Sequence, residues 1–330
     1  MRLSDFDYSL PKELIAQYPL KRRDLARLLV LDRKKKSIKH CIFKEIINYL
    51  NKDDLLILND TKVLPCRLKG RRLTGGKVEI LLLAQKNEAN FLALIKPARL
   101  KVGEEIIFDN DGISAKIINR NEVVFSSEDI DKIYQLGKIP LPPYIKREPQ
   151  DLDNIYYQTV YARYEGAVAS PTAGLHFTKR LLKKIELSGI NIGYITLHIS
   201  YATFRPVKVD DITQHKMDKE YFYIPNETIE LLKKTKLKAG RIITVGTTSL
   251  RALETYASSG QKSGYTDLFI YPGYKFKMTD CLLTNFHLPR TSLFILVCAF
   301  AGEELIKKAY QEAIKKRYRF YSYGDAMLIL

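Results

Sequence analysis

A change of pattern inside the chain constrains its fold more than any other feature of the sequence. Residues 64 to about 136 contain short strand-like runs separated by polar or glycine turns, whereas both flanks alternate strand-like and helix-like segments. Near-regular strand spacing with such turns is typical of a small antiparallel barrel or sandwich. The six runs are PCRLKGRRL, KVEILLLAQ, NFLALIK, EEIIF, ISAKII and EVVFS.

The two flanks have the same α/β character, so we interpret the β-rich segment as an insertion. Strands are predicted at LLVLDRKK, DLLILND, INIGYITLHIS, RIITVG and TDLFIYPG. Helices are predicted at PKEL after a Ser9 cap, FKEIINYLN, TKRLLKKIELSG, NETIELLKKTKLKAG and TTSLRALETYASSG capped by Thr247 or Thr248. Residues 290–316 are predicted to form one or two helices with a break near Gly302. We predict a discontinuous mixed α/β catalytic domain of residues 1–63 and 151–330, and an inserted β domain of residues 64–150 that ends in a proline-rich linker.

The charge of the chain favours an anionic partner. The formal net charge is +17, which suits nucleic acid, a membrane surface or an acidic substrate, although a composition rich in Lys could produce it incidentally. The longest apolar run, residues 293–301, is too short to span a membrane, and the start of the chain lacks a signal peptide. Four scattered cysteines without a CxxC pair argue against a zinc site and fit a reducing cytosol. We therefore expect a cytoplasmic protein with no membrane partner and no metal.

Polar and aromatic loops outside the predicted elements hold the candidate site residues. His176 lies in SPTAGLHFT, His198 in TLHISYATFRPV, and Asp280, Asn285 and His287 in DCLLTNFHLPRTS. Each could be a structural residue, but loops carry function more often than cores do. The turn VGTTSLRALE would present hydroxyls and backbone N–H groups to an anion, or serve only as a helix cap.

Ordered motifs over the whole chain resemble one known family. LNDTKVLPCRL, GAVASPTAGLHFT, VGTTSLRALE, DLFIYPGY, TNFHLPRTSL and YRFYSYGDAML stand in order, and the chain is similar to the S-adenosylmethionine:tRNA ribosyltransferase-isomerases of queuosine biosynthesis. The sequence departs from the family pattern at Ile199-Ser200-Tyr201-Ala202, where a glycine-rich stretch is usual, and at Asp218, where a second His is usual. The resemblance implies an α/β domain with an inserted small six-stranded antiparallel β-barrel.

The resemblance also implies a reaction. The family moves the ribosyl group of S-adenosylmethionine onto 7-aminomethyl-7-deazaguanine at the wobble position of tRNA with a GUN anticodon. It isomerises that group to an epoxycyclopentane, giving epoxyqueuosine, and releases adenine and methionine. S-adenosylmethionine is consumed as a co-substrate, no metal is needed, and a monomer is expected.

This chemistry assigns hypothetical roles to the candidate residues. Proton transfers suit histidine near neutral pH, so we expect the catalytic residues His176, His198 and His287 to converge. One carboxylate can accept from N1–H and N2–H of a deazaguanine, and the methionine carboxylate suits hydroxyls and an arginine fork. The expected substrate-binding residues are Asp60, Thr247, Thr248, Ser249, Arg251, Arg205, Asp280, Asn285, Tyr323 and Asp325. Residues expected to stack on the wobble base are Tyr271, Tyr274, Phe276, Tyr321 and Tyr323, and those expected to hold RNA phosphates are Lys69, Arg71, Arg72, Lys275 and Lys277.

Two other functions remain compatible with the sequence. A transferase or lyase acting on a small anionic substrate would be active without RNA. A catalytically degenerate tRNA-binding homologue would bind tRNA without releasing adenine, and the departures at residues 199–202 and 218 keep that alternative open.

Overall fold

The structure is a computed structural model that describes residues 1–108, 112–204 and 206–330. Its strands are β1 (Arg27–Asp32), β2 (Ser37–Ile42), β3 (Leu55–Asn59), β4 (Thr61–Val63), β5 (Arg67–Arg72), β6 (Lys77–Gln85), β7 (Asn90–Lys96), β8 (Glu105–Ile107), β9 (Ser114–Asn119), β10 (Glu122–Phe125), β11 (Gly137–Lys138), β12 (Tyr164–Ala167), β13 (Asn191–Leu197), β14 (Glu220–Tyr223), β15 (Ile242–Val245), β16 (Ser263–Thr266), β17 (Cys281–Asn285) and β18 (Ala326–Ile329). Its α-helices are α1 (Ile130–Gln135), α2 (Asp151–Tyr156), α3 (Lys179–Leu187), α4 (Asn226–Leu237), α5 (Gly246–Ser259), α6 (Ser292–Ala301) and α7 (Glu303–Lys315). Short 3₁₀ helices lie at Leu3–Phe6, Lys12–Leu14, Arg23–Leu25, Phe43–Tyr49, Thr172–His176, Tyr201–Phe204 and Ile212–Gln214.

A large mixed sheet forms the centre of the α/β domain, in the order β16-β14-β13-β3-β15-β17-β18-β1-β2. Strands β13, β3, β15 and β17 are parallel neighbours, so their carboxyl ends meet at one edge. Strand β18 runs antiparallel to β17, with Ala326 opposite Asn285, and therefore begins at that same edge. In sheets of this kind, ligands bind beyond the carboxyl ends of the strands.

Helices cover both faces of this sheet. On one face, α4 and α5 pack on Leu55, Ile57 and Leu197, and α6 and α7 continue the layer over Leu282 and Met327. On the other face, α3 and the 3₁₀ helix Phe43–Tyr49 pack on a separate core that includes Leu56, Leu58 and Leu283. Alternation along β3 places Leu55 and Ile57 on one face and Leu56 and Leu58 on the other, as strand geometry requires.

The inserted β segment forms a closed six-stranded antiparallel barrel in the order β5-β6-β7-β10-β9-β8, and β11 pairs with β5 outside that ring. The ring closes where Arg71 and Arg72 of β5 pair with Ile107 and Ile106 of β8. Gly70 lies beside this closure, where a Cβ would come within 2.6 Å of Ile106 Cγ2. The expected combination of a mixed α/β domain and a six-stranded barrel is confirmed, while the proposed domain boundaries stay a prediction.

Several local predictions are wrong, for identifiable reasons. FKEIINYLN is a 3₁₀ helix, Phe43–Tyr49, whose buried residues Phe43 and Ile46 are spaced three apart, the 3₁₀ period. PKEL is likewise a single 3₁₀ turn, with Pro11 rather than Ser9 in the cap position. Helix α5 begins at Gly246, whose φ of 87° turns the chain directly from strand to helix, so Thr247 and Thr248 lie inside the helix. TDLFIYPG is not a strand, because β16 ends at Thr266.

Candidate active site

A cleft of about 710 Å³ lies at the sheet edge where the parallel strands end. The loop after β17 and the start of α5 form two of its walls, and the segment between α7 and β18 forms a third. Most of its lining side chains are either hydroxyl-bearing or apolar. The lining residues are Tyr144, Ala169, Ser170, Pro171, Thr172, Ala173, Ile199, Thr203, Gly246, Thr247, Thr248, Thr284, Asn285, Phe286, His287, Leu288, Thr291, Leu293, Tyr321 and Ser322.

Asn59, at the end of β3, fixes the wall that α5 forms. Its Nδ2 donates to the Leu197 carbonyl at 3.0 Å and to Thr248 Oγ1 at 3.1 Å, while its Oδ1 accepts from Leu197 N at 3.0 Å. Because Thr248 Oγ1 accepts that bond, its own proton is left to donate toward the cleft. Ser249 instead donates to the Val245 carbonyl at 2.8 Å and does not line the cleft. Sequence reasoning missed Asn59, whose only signal is a polar amide in the otherwise apolar run LLILN.

His287 lies in the cleft as a neutral imidazole. Its Nε2 is 2.7 Å from Thr284 Oγ1, and both residues line the cleft. Burial lowers the pKa of His287 to about 3, because the charged form would lose its hydration. A neutral ring in this position can accept a proton only when a neighbouring group or substrate compensates the resulting charge.

His176 is held in one tautomer by Asn285. Asn285 Nδ2 reaches the Tyr321 and Asp325 carbonyls at 3.3 Å and 3.4 Å, which identifies that atom as the amide nitrogen. The same Nδ2 lies 3.1 Å from His176 Nε2, so that nitrogen accepts and the proton resides on Nδ1. Burial, followed by the charges of Arg23 and Arg319, lowers the pKa of His176 to about 3.

His198 and Asp60 lie on the opposite face of the sheet edge from the cleft. His198 Nδ1 is 2.8 Å from Thr61 Oγ1, and Asp60 Oδ1 accepts from Thr196 Oγ1 at 2.7 Å. Burial raises the pKa of Asp60 and lowers that of His198, so both groups are biased toward their neutral forms. The structure therefore brings Asn285, which lines the cleft, together with His176 and His287, and places His198 with Asp60 across the edge.

Two buried hydroxyls in the cleft lack a hydrogen-bond partner. Ser170 Oγ and Tyr321 Oη are both inaccessible and unpaired. The Tyr321 ring stacks on Tyr144 with centroids 4.4 Å apart, and the Tyr321 backbone has a φ of 70°. Buried polar atoms without partners are costly, so these two hydroxyls are a local source of instability in the cleft wall.

Besides Asp60 and Ser249, four more expected substrate-binding side chains do not face the cleft. Arg251 pairs with Glu220, and Tyr323 donates to Asp153 Oδ1 at 2.6 Å. Asp325 accepts from Arg27 N at 2.9 Å and Arg319 N at 2.8 Å, which uses both of its oxygens. Asp280 precedes β17 and lies at the sheet edge away from the cleft. Arg205 lies outside the described residues.

The expected RNA-binding side chains lie on two separate elements. Lys69 and Arg71 project outward from β5, with Lys69 Nζ 2.7 Å from Glu148 Oε2, and Arg72 pairs with Glu104. Lys275 and Lys277 are exposed on the loop that enters β17. Of the expected stacking residues, Tyr321 lines the cleft and Tyr323 is buried, whereas Tyr271, Tyr274 and Phe276 pack against the core beneath α6.

Metal-binding and membrane-spanning features are both missing from the described part of the chain. Within residues 1–108, 112–204 and 206–330, His, Cys, Asp and Glu side chains form no group of three or more that could hold a metal ion. Across the same ranges, none of the helices combines the length and apolar character needed to cross a bilayer.

Comparison with known proteins gives consistent matches along the whole chain. The profile of a family described as "Queuosine biosynthesis protein" matches residues 3–329. Two relatives are 53% and 51% identical to this chain, over 100% of both chains in each case. They are the proteins named S-adenosylmethionine:tRNA ribosyltransferase-isomerase from Sulfurihydrogenibium sp. (strain YO3AOP1) and from Aquifex aeolicus, respectively. A crystal structure of an S-adenosylmethionine tRNA ribosyltransferase from Thermotoga maritima is 39% identical, with a TM-score of 0.59, over 99% of this chain and 100% of that one.

Proposed function

Because the chain belongs to the queuosine biosynthesis protein family and is a tRNA-modifying transferase, we propose that it acts on a tRNA carrying 7-aminomethyl-7-deazaguanine at the wobble position of a GUN anticodon. It transfers the ribosyl group of S-adenosylmethionine onto the aminomethyl nitrogen and isomerises it. The product is epoxyqueuosine in tRNA, and adenine and methionine leave.

The chemistry needs proton transfers in a site that excludes water. The sulfonium of S-adenosylmethionine acidifies the adjacent C5′–H bond, and a base removes that proton. The bond from ribose to adenine then breaks, and adenine departs with a proton. The neutral amine of the wobble base forms the new carbon–nitrogen bond and gives up a proton. A new carbon–carbon bond closes the cyclopentane ring, and the oxygen beside it forms the epoxide by displacing sulfur, so that the carbon–sulfur bond breaks and methionine leaves.

The observation that carries this proposal is the cleft itself. It opens beyond the carboxyl ends of the parallel strands, where ligand sites of such sheets form, and apolar and hydroxyl-bearing side chains line it, as is usual for a small-molecule site. Thr247 and Thr248, in the first turn of α5, present hydroxyls near a helix N-terminus, which favours the methionine carboxylate.

Among the three histidines, His287 is the best placed to move a proton in the cleft. Its ring lines the cleft directly, whereas the ring of His176 lies behind Asn285 and faces a smaller neighbouring pocket. We assign proton transfer to His287. His176 is assigned the role of positioning the Asn285 side chain. His198 and Asp60, across the edge, are assigned to the wobble base, because a carboxyl group can accept from a deazaguanine edge.

The test combines the purified chain, S-adenosylmethionine and tRNA bearing 7-aminomethyl-7-deazaguanine, with adenine release and the nucleoside mass as readouts. We expect adenine and epoxyqueuosine from the wild type, a loss of at least about 100-fold in kcat for His287→Gln, and no change for the surface variant His40→Gln. Bound tRNA without adenine release would instead identify a degenerate tRNA-binding homologue. That outcome would fit the departures at Ile199 and Tyr201, because Ile199 and Thr203 form one cleft wall.

A further inference from the structure

Two exposed tyrosines lie on the antiparallel strands at one end of the large sheet. Tyr221 of β14 and Tyr265 of β16 are directly opposite each other in the antiparallel pair and are 37% and 69% exposed. Their rings meet edge to face with centroids 5.7 Å apart. Such cross-strand pairs stabilise a sheet, and here the two rings also leave a contiguous aromatic surface open to solvent, of the kind that can bind a partner.

The tyrosine pair continues into the sheet edge through His198. The His198 and Tyr221 rings are nearly parallel, 23° apart in orientation, with centroids separated by 5.9 Å. Gly166 lies against the His198 ring, where a Cβ would come within 2.8 Å of its atoms. Thr61 holds the ring by its Nδ1. His198, Tyr221 and Tyr265 therefore form a continuous row of contacting rings, which we call the aromatic face.

We propose that the aromatic face stacks an unpaired nucleotide of the tRNA anticodon loop, next to the wobble base. This inference rests on the proposed function and goes beyond it by naming a surface. Aromatic side chains stack bases without regard to sequence, and single-stranded RNA is recognised largely in this way.

Charge and position both favour RNA over a protein partner. The chain carries a net charge of +17, which attracts a polyanion. The exposed Arg163 has its guanidinium carbon 6.0 Å from the ring centroids of Tyr164 and Tyr194 on the same side of the edge. Ile199, the residue after His198, lines the cleft, so the aromatic face and the cleft lie on the two sides of the same backbone segment.

The test variant is Tyr265→Ala, because this ring is the most exposed of the three and has the least structural role. The probe is the anticodon stem–loop RNA carrying 7-aminomethyl-7-deazaguanine, and its Kd is measured by filter binding. Loss of one base–aromatic stack should raise the Kd by about five- to 150-fold. Tyr265→Phe keeps the ring and should bind as the wild type does. Leu237→Ala, which alters an 89% exposed residue at the end of α4, is the matched surface control.

Steady-state kinetics provide an independent readout. For Tyr265→Ala, we expect the KM for tRNA to rise, with kcat at saturating tRNA and the KM for S-adenosylmethionine unchanged. A change in Kd below twofold would overturn the proposal. A shift in oligomeric state with unchanged RNA affinity would also overturn it, by identifying a self-association surface. The binding assay does not need turnover, so a wild type that releases no adenine would refute the proposed function, while the Kd of Tyr265→Ala would still decide whether the aromatic face binds RNA.

Discussion

Because Arg251 pairs with Glu220, replacing either residue alone should greatly lower the free energy of unfolding, and replacing both should recover most of that loss. Both residues are nearly fully buried, at 3% exposure each, and Arg251 Nε also donates to the Leu268 carbonyl at 2.9 Å. Glu220 Oε1 accepts from Ser200 N at 2.8 Å, so the pair also holds the segment that forms one cleft wall. The sequence predicts Arg251 as a fork for a substrate carboxylate, whereas the structure gives it a carboxylate of the protein.

Removing one partner should cost far more than removing both. Arg251→Leu leaves the Glu220 carboxylate buried without its cation, and breaking a buried pair costs about 3–5 kcal/mol. Replacing both residues with leucine removes the uncompensated charge, so the double variant should recover most of that loss. Recovery stays incomplete because Ser200 N loses its acceptor, which costs about 1–3 kcal/mol.

Urea unfolding followed by far-UV circular dichroism measures these differences, since the chain has no Trp. The control is the exposed pair Lys233–Glu230, whose atoms are 2.8 Å apart, where either single leucine variant should change the unfolding free energy by less than about 1 kcal/mol. A double variant no more stable than Arg251→Leu would refute the reasoning. A double variant that recovers stability but shows a tenfold higher KM for S-adenosylmethionine would show that Arg251 also contributes to binding that substrate.

Two further predictions concern the cleft surroundings. Because burial lowers the pKa of His287 to about 3, below the unfolded value of 6.5, the unfolded chain binds the extra proton between these values, and the unfolding free energy should fall as pH drops below 6.5. The fall should reach about 2 kcal/mol at pH 5 for this group, and an identical pH slope in His287→Gln would contradict it. Gly174→Ala should cost about 1–3 kcal/mol, because its Cβ would come within 2.0 Å of Tyr161 Oη. Adding Tyr161→Phe should restore part of this loss in the same unfolding assay, because it removes the shortest contact and that hydroxyl has no partner, whereas Thr159 Cγ2 stays 3.0 Å from the Cβ; no recovery would contradict the steric explanation.

The barrel strands could be predicted from the sequence because their signals are local. Alternation of period two and turns such as TGG and NRN lie within each hairpin, and all six runs form strands. Two of the missed strands depend on distant partners instead. β4 and β12 have three and four residues and pair with each other across about a hundred positions, which no local pattern reports.

The candidate site was predictable as a set of loops but not as a geometry. The motif around Asn285 and His287 does line the cleft, yet Asp280 in the same motif does not. The five residues of β17 separate Asp280 from the cleft edge, about 16 Å at the usual rise of a strand. Asp280, Asn285 and His287 are close in sequence, but strand β17 holds Asp280 far from the other two residues.

Side chains that alternate along the end of β13 place the two proposed binding functions on opposite sides of one sheet edge. Leu197 and Ile199 face the side of α5 and the cleft, whereas Thr196 and His198 face the side of the tyrosines. None of the three rings of the aromatic face lines the cleft, so the two sides can be tested by separate variants. A variant of the aromatic face should therefore change the KM for tRNA alone, and a variant of the α5 hydroxyls, such as Thr247→Val, should change the KM for S-adenosylmethionine alone. If either variant altered both constants equally, the two sides would act as one site and the division by strand alternation would fail.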